Sequence, residues 1–175
     1  MKKFKERRKR KIPTPQYLAN VALHYLGKYA ASEGSLRRVL RNRIVRSAMD
    51  NPEFANDHEQ KSKLHVEIET IIEKHKKTGA LNDTAYAETK TNSLRRAGKS
   101  RRVIQQKLML KGVQKDTIEQ AFQQVDGDDT SEEAEMKAAI ALARRRKFGA
   151  FSTKAKDPDR HKKEFATLAR SGFSM

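Results

Sequence analysis

The chain has 175 residues, of which 36% are hydrophobic and 35% are charged, and it contains no cysteine. So small an apolar fraction favours thin cores between small helical units over one deep globular core, and the missing cysteines exclude disulfides and thiol chemistry. The formal net charge of +17 favours a polyanionic partner, and nucleic acid, an anionic membrane and an acidic protein surface all fit that description.

The N-terminal segment, residues 1–12, is strongly basic, with Lys or Arg at eight of the first eleven positions. Repulsion between these charges predicts a disordered tail, which serves either as a solubilising arm or as a phosphate-contacting arm. The segment lacks the apolar stretch of a secretory signal, and no apolar run in the chain approaches the roughly 20 residues that span a bilayer. We therefore expect a soluble, cytoplasmic protein with no membrane partner.

A first helical repeat is predicted over residues 13–78. Its helices carry apolar residues at three- and four-residue steps, which is typical of a helix with one apolar face. Gly34-Ser35 separates the first two helices, and residues 50–59 read as a loop because Asp-Asn-Pro opens them. The third helix ends before Gly79, and its apolar face consists of Leu64, Ile68, Ile71, Ile72 and His75.

A second helical repeat is predicted over residues 79–126, again with three helices. Gly98 and Gly112 separate them, and Ser100 is a good N-cap for the middle one. The third helix opens on Asp116 and Glu119, which have the spacing of a capping box.

A third repeat is predicted over residues 127–175. A capping box, Thr130 with Glu133, opens a helix whose expected buried face is Met136, Ala139, Ile140 and Ala143. Asp157-Pro158 then opens a last helix. The chain stops where a third helix of this repeat would begin, so either that helix is missing or the repeat closes without it.

Two parts of the sequence resemble each other at an offset of 64 residues. Arg37-Arg38-Val39-Leu40 matches Arg101-Arg102-Val103-Ile104, and Arg43 matches Lys107. Repeated units of this kind predict an all-α fold of about eight helices, in units of two or three helices that stack into an elongated, curved array.

Residues 79–122 resemble the central block of the RecX family of recombination regulators. The likeness lies in the Gly79–Asp83 lead, the Tyr86-Ala87 pair, the Arg95-to-Gly98 turn and the Lys111–Val113 end. Weaker likeness extends to residues 142–147 and 168–173, whereas Lys99 stands where the family often has proline. The resemblance implies tandem three-helix, helix-turn-helix-like repeats that bind the RecA filament on single-stranded DNA and inhibit its activities.

Basic doublets are the candidate binding residues. Arg95-Arg96 and residues 144–147 close their helices, where cations complement the helix dipole, whereas Arg101-Arg102 and Arg37-Arg38 lie at helix starts, where that term is unfavourable. Phosphates or an acidic protein groove would compensate them, and solvated charge is the alternative. The predicted surface for RecA or DNA consists of Arg37, Arg38, Arg95, Arg96, Arg101, Arg102, Lys107, Arg144, Arg145, Arg146 and Lys147.

Catalytic chemistry is not indicated by the sequence. Gly98-Lys99-Ser100 lacks the upstream glycine and strand of a nucleotide-binding loop. We therefore expect a non-enzymatic, monomeric regulator without metal or cofactor, which binds RecA on single-stranded DNA. The alternative is a helix-turn-helix-like transcriptional regulator that reads duplex DNA without RecA, for which Gln105-Gln106 beside Arg101-Arg102 is the nearest feature.

Overall fold

The computed structural model describes residues 9–153 and 158–173, and that part of the chain is helical and has no strand. Its nine α-helices are α1 (Pro15–Leu26), α2 (Glu33–Asp50), α3 (Pro52–Asn56), α4 (His58–Lys77), α5 (Asp83–Arg96), α6 (Arg101–Met109), α7 (Lys115–Asp126), α8 (Ser131–Arg146) and α9 (Pro158–Arg170). A short 3-10 turn, Gly149–Phe151, follows α8. The predicted all-α class is confirmed.

The structure agrees with the predicted fold of about eight helices. The predicted loop over residues 50–59 is wrong, because it contains the additional helix α3. Pro52 occupies the first turn of α3, where its missing N–H costs nothing. The side chain of Phe54 is buried in the core of the first unit, with 2% of the residue exposed, and this burial holds α3 in place. Asp57 then caps α4, since its carboxylate accepts a hydrogen bond from the Gln60 N–H at 2.8 Å.

One of the two predicted capping boxes forms. Thr130 and Glu133 bond reciprocally at the start of α8. The predicted box at Asp116 and Glu119 is wrong, because α7 begins at Lys115 behind Gln114, whose side chain makes no cap bond. The Glu119 carboxylate instead accepts a hydrogen bond from the guanidinium of Arg101.

The described helices form two compact units, which divide between Asn82 and Asp83. The first unit packs α1 to α4 around an aliphatic core that includes Leu18, Leu40, Ile68 and Ile72, each fully buried. The second unit contains α5 to α9, and its main core lies between α5, α6 and α7 around Ile104, Ile118 and Phe122. The finer division into three repeats stays a prediction.

The predicted disordered tail, residues 1–12, is corrected where the structure describes it. Residues 1–8 lie outside the described residues. Arg10 and Lys11 are held against α2: the Asp50 carboxylate accepts hydrogen bonds from the Arg10 N–H and guanidinium, both at 3.0 Å. The Lys11 carbonyl accepts a bond from the Ser47 hydroxyl at 3.0 Å.

The buried face of α8 differs from the predicted one. Met136 is 61% exposed and Ile140 41% exposed, whereas Ala134, Ala138 and Leu142 are buried. The reason is the turn between α5 and α6, where Gly98 packs directly against α8. That glycine lies against Leu142, so the face of α8 that carries Ala134, Ala138 and Leu142 is turned inward, and Met136 and Ile140 are left exposed.

Gly98 is the point of closest approach between that turn and α8. Its φ is +68°, and a Cβ atom there would lie 2.5 Å from Leu142 Cβ and 2.7 Å from the Leu142 backbone. Glycine is therefore required twice, once for the left-handed backbone and once for the space.

Gly98→Ala is expected to lower the free energy of unfolding by about 2–5 kcal/mol, since positive φ and overpacking against α8 both contribute. Gly149→Ala is the matched control: its φ is +50° but nothing lies within 4 Å of the added Cβ. It should lose only about 1–2 kcal/mol. Urea denaturation followed by circular dichroism measures both, and equal losses would contradict the close contact.

The first unit should also lose stability on mild acidification through His75 of α4. This side chain is 8% exposed, and burial, helped by the charge of Lys74, lowers its pKa. The unfolded chain, with an ordinary histidine pKa near 6.5, therefore takes up a proton first, and stability falls as pH drops from about 7.5 to about 5.5. His75→Leu should flatten this dependence in urea titrations, and an unchanged dependence would contradict the role of the buried imidazole.

Candidate nucleic-acid interface

The guanidinium of Arg95, at the end of α5, lies at the centre of the second unit. Its Nε and Nη2 donate to the two carboxylate oxygens of Asp126 on α7, at 3.0 and 2.8 Å. Its Nη1 donates to Glu135 on α8 at 2.5 Å. Burial opposes the charged form of Arg95, but the hydrogen bonds to the two carboxylates outweigh it and raise its pKa. One cation thus joins three helices.

The same carboxylate of Glu135 also holds the start of α6, because its Oε1 accepts the backbone N–H of Arg101 at 2.7 Å. A negative charge at that end of a helix is favourable. Phe122 of α7 lies beneath both arginines, with Arg95 Cζ 5.4 Å and Arg101 Cζ 4.1 Å from its ring centroid. The turn between α5 and α6 is therefore fixed by charge, hydrogen bonds and cation–π contacts.

The end of α9 adds a further hydrogen bond to this turn. The Ser100 N–H donates to the Ser171 carbonyl at 3.2 Å, and Ser171 is 3% exposed. Gly172, with φ +93°, leaves no room for a Cβ beside Ser100 and Val103. The α5–α6 turn, which lies between the basic doublets Arg95-Arg96 and Arg101-Arg102, is therefore packed against both α8 and the end of α9.

The two repeated doublets behave alike in the two units. Arg37, on α2, makes a bidentate pair with Glu69 of α4, at 2.9 and 2.8 Å. Arg101, 64 residues later, pairs with Glu119 of α7. In each case the first arginine of the doublet bonds a glutamate on a later helix of the same unit, and the second arginine, Arg38 or Arg102, is exposed.

These pairs explain why cations are tolerated at two helix starts. The compensating charge is a glutamate of the same chain, so neither Arg37 nor Arg101 needs a phosphate to offset its position at a helix start. The hydrogen bond from Arg37 also lowers the pKa of Glu69, which keeps that carboxylate ionised. The sequence shows the repeat but not the partner, because each glutamate lies far along the chain from its arginine.

The predicted binding set therefore divides by location. The prediction that Arg95 belongs to the binding surface is corrected, because this residue is only 8% exposed. Arg37 and Arg101 are partly buried in ion pairs. The exposed members are Arg38, Arg96, Arg102, Lys107, Arg144, Arg145, Arg146 and Lys147.

Among the exposed members, the group formed by Arg96, Arg102 and Lys107 has no ion-pair partner within the described residues. We refer to it as the α5–α6 cation group. At the end of α8, Arg144 lies over the Phe151 ring at 5.3 Å, and the Lys147 carbonyl accepts a bond from Arg160 at 3.1 Å. The α5–α6 cation group is thus available to an external anion.

The predicted set omits a basic cavity in the first unit. It has a volume of about 390 Å³ and is lined by residues 10–14, Tyr17, Arg43 and Arg46, and we call it the Tyr17 cavity. One signal was present in the sequence, since Arg43 occupies the same repeat position as Lys107. The contribution of residues 10–14 depends on their contacts with α2, which no local pattern shows.

Other kinds of site are not indicated by the described part of the chain. Residues 9–153 and 158–173 contain no group of three or more His, Asp or Glu side chains placed to hold a metal ion. None of the helices there combines the length and apolarity needed to cross a bilayer.

Comparison with known proteins identifies the family. A family model described as "RecX, second three-helix domain" matches residues 82–121, which span α5, α6 and most of α7. The regulatory protein RecX of Myxococcus xanthus (strain DK1622) is 40% identical over 177 residues, covering 99% of this chain and 89% of that protein. The chain belongs to the RecX family.

Two further likenesses agree with membership of the RecX family. The regulatory protein RecX of Agrobacterium fabrum (strain C58 / ATCC 33970) is 42% identical over 96 residues, or 55% of this chain and 48% of that protein. A crystal structure of regulatory protein RecX matches with a TM-score of 0.56 at 22% identity, covering 91% of this chain and 67% of that one. The structural likeness supports the helical fold of the family.

Removing Arg95 is expected to destabilise the second unit strongly. Arg95→Met leaves the carboxylates of Asp126 and Glu135 uncompensated, with Asp126 only 10% exposed, and breaking such a pair costs roughly 3–5 kcal/mol. Arg95→Lys keeps the charge but cannot bond both carboxylates, so an intermediate loss is expected. Urea denaturation measures the loss.

Arg96→Met is the control for that loss, because the neighbouring side chain is exposed and has no carboxylate partner in the described part of the chain. Its effect should stay within about 0.5 kcal/mol. If Arg95→Met unfolded at the same urea concentration as Arg96→Met, the central role of the buried guanidinium would be disproved.

Proposed function

We propose that this RecX-family chain is a non-enzymatic, cytoplasmic regulator that binds the RecA filament on single-stranded DNA. In this role it inhibits the recombinase, ATPase and coprotease activities of RecA, and so affects recombination, DNA repair and the SOS response. The observation that carries the proposal is the 40% identity to a protein named regulatory protein RecX over nearly the whole chain.

The charge distribution supports a nucleoprotein partner. The chain carries +17, and several carboxylates of the second unit are already engaged by Arg95 and Arg101. The exposed α5–α6 cation group is left for phosphates or for an acidic wall of the filament. Arginine suits either, because its planar fork matches both carboxylate and phosphate oxygens. We propose that the protein acts as a monomer.

A helix-turn-helix-like reader of duplex DNA is the second candidate. The feature that favours it is α6, where Arg102 and Gln106 are both exposed and lie one turn apart. Arg101 contributes less to such a helix, since its guanidinium is turned towards Glu119 and Phe122. A sequence-specific footprint on duplex DNA in the absence of RecA would favour this candidate.

The purified protein is expected to slow ATP hydrolysis and strand exchange by RecA assembled on single-stranded DNA. Arg96→Gln/Arg102→Gln/Lys107→Gln should weaken this inhibition. If all three side chains contact phosphates of a single strand, the slope of log affinity against log salt should become shallower by about 2.

A charge-matched control is available on α4 of the first unit. Lys63→Gln/Lys74→Gln/Lys77→Gln removes three exposed cations and therefore lowers the net charge equally. Inhibition that persists in this control but not in the α5–α6 variant identifies a local contact. RecA activities that stay unchanged at saturating wild-type protein would rule out the proposed function.

A further inference from the structure

The Tyr17 cavity is formed by an extended segment that is fixed in place. Besides the bonds to Asp50 and Ser47, the Arg10 carbonyl accepts a hydrogen bond from the Asn51 amide at 2.7 Å. Asn51 in turn bonds the Ser47 carbonyl at 2.8 Å. These bonds hold residues 10–13 beside the face of α2 that carries Arg43 and Arg46. The cavity is therefore a preformed feature of the first unit.

The residues that line the cavity carry more positive than negative charge. Asp50 pairs with Arg10, but Lys11, Arg43 and Arg46 are exposed and have no carboxylate partner among the described residues. No Asp or Glu lines the cavity. The start of α1 adds the positive end of a helix dipole, since Thr14 caps it. Because these cations line one cavity, they repel one another, and an anion bound there would relieve the repulsion.

An aromatic ring lies beside these charges. Tyr17, in the first turn of α1, is 45% exposed, and its backbone N–H is held by the Thr14 hydroxyl at 3.1 Å. Ile12 is also exposed, at 41%. A cationic groove with an exposed aromatic ring is the combination that binds unpaired nucleotides, because phosphates bind the cations while a base stacks on the ring.

We propose that the Tyr17 cavity binds single-stranded DNA, with Lys11, Arg43 and Arg46 on the phosphates and one base stacked on Tyr17. A duplex fits this site less well, because its bases are already stacked on one another and cannot reach the ring. The site deepens the proposed function and rests on it in one respect, namely that the single-stranded nucleic acid is DNA. Its test requires no RecA, so the two can fail separately.

Binding of a fluorescent oligodeoxythymidylate to the full chain, followed by anisotropy, tests the cationic part. Arg43→Gln/Arg46→Gln should weaken binding by about tenfold or more and make the salt slope shallower by about 1.4, as expected for two lost phosphate contacts. Lys74→Gln/Lys77→Gln, which removes two exposed cations from α4, is the charge-matched control and should bind nearly as the wild type does. Equal effects of the two variants would overturn the proposal.

The aromatic part has a separate readout. A 2-aminopurine base in the oligonucleotide should lose fluorescence on binding to the wild type and to Tyr17→Phe, which keeps the ring. Tyr17→Ala should bind several-fold more weakly without this quenching. Equal quenching by Tyr17→Ala, or equally strong competition by a duplex of the same length, would overturn the proposal.

The outcomes separate the cavity from the proposed function. Oligonucleotide binding that depends on Tyr17, Arg43 and Arg46, together with unchanged RecA activities, would support the cavity and end the RecA proposal. Inhibition of RecA by a chain whose oligonucleotide binding ignores these residues would do the reverse. Circular dichroism melts of each variant, compared with the wild type, check that the chain is folded.

Discussion

The second unit depends on one buried guanidinium. Arg95 is 8% exposed, and a charge so placed would be very unfavourable without partners. Asp126 from α7 and Glu135 from α8 supply two carboxylates, and Phe122 supplies a ring face. Because each partner comes from a different helix or a different turn, the ion pairs fix the arrangement of the helices as well as compensating the charge. Gly98 and Ser100 then allow α8 and the end of α9 to approach the same turn.

This use of charge decides which cations remain for binding. In both units the first arginine of the repeated doublet pairs with a glutamate on a later helix of the same unit, as Arg37 does with Glu69 and Arg101 with Glu119. The second arginine of each doublet is exposed. A basic doublet in this chain therefore has two roles, one structural and one directed outward, and a count of basic residues cannot separate them.

The two units carry different kinds of cationic surface. In the first unit, residues 10–14 and α2 enclose a cavity with an aromatic ring, which suits an unpaired nucleotide. In the second unit, the α5–α6 cation group is exposed on helices, where it suits phosphates or acidic side chains equally. The internal repeat connects these two surfaces, since Arg43 of α2 matches Lys107 of α6 and both are exposed cations.

The sequence by itself determined the helical class, most helix starts and the family likeness, because periodicity, N-caps and glycine turns are local signals. It also located the Thr130 capping box and the doublets. It could not choose the buried face of α8, since a 3.6-residue period fits more than one face and the contact at Gly98 selects the alanines and Leu142. It could not show that Arg95 is internal, or that residues 10–13 are held beside Arg43 and Arg46. Those features depend on partners more than 30 residues away, which only the tertiary structure brings within hydrogen-bonding distance.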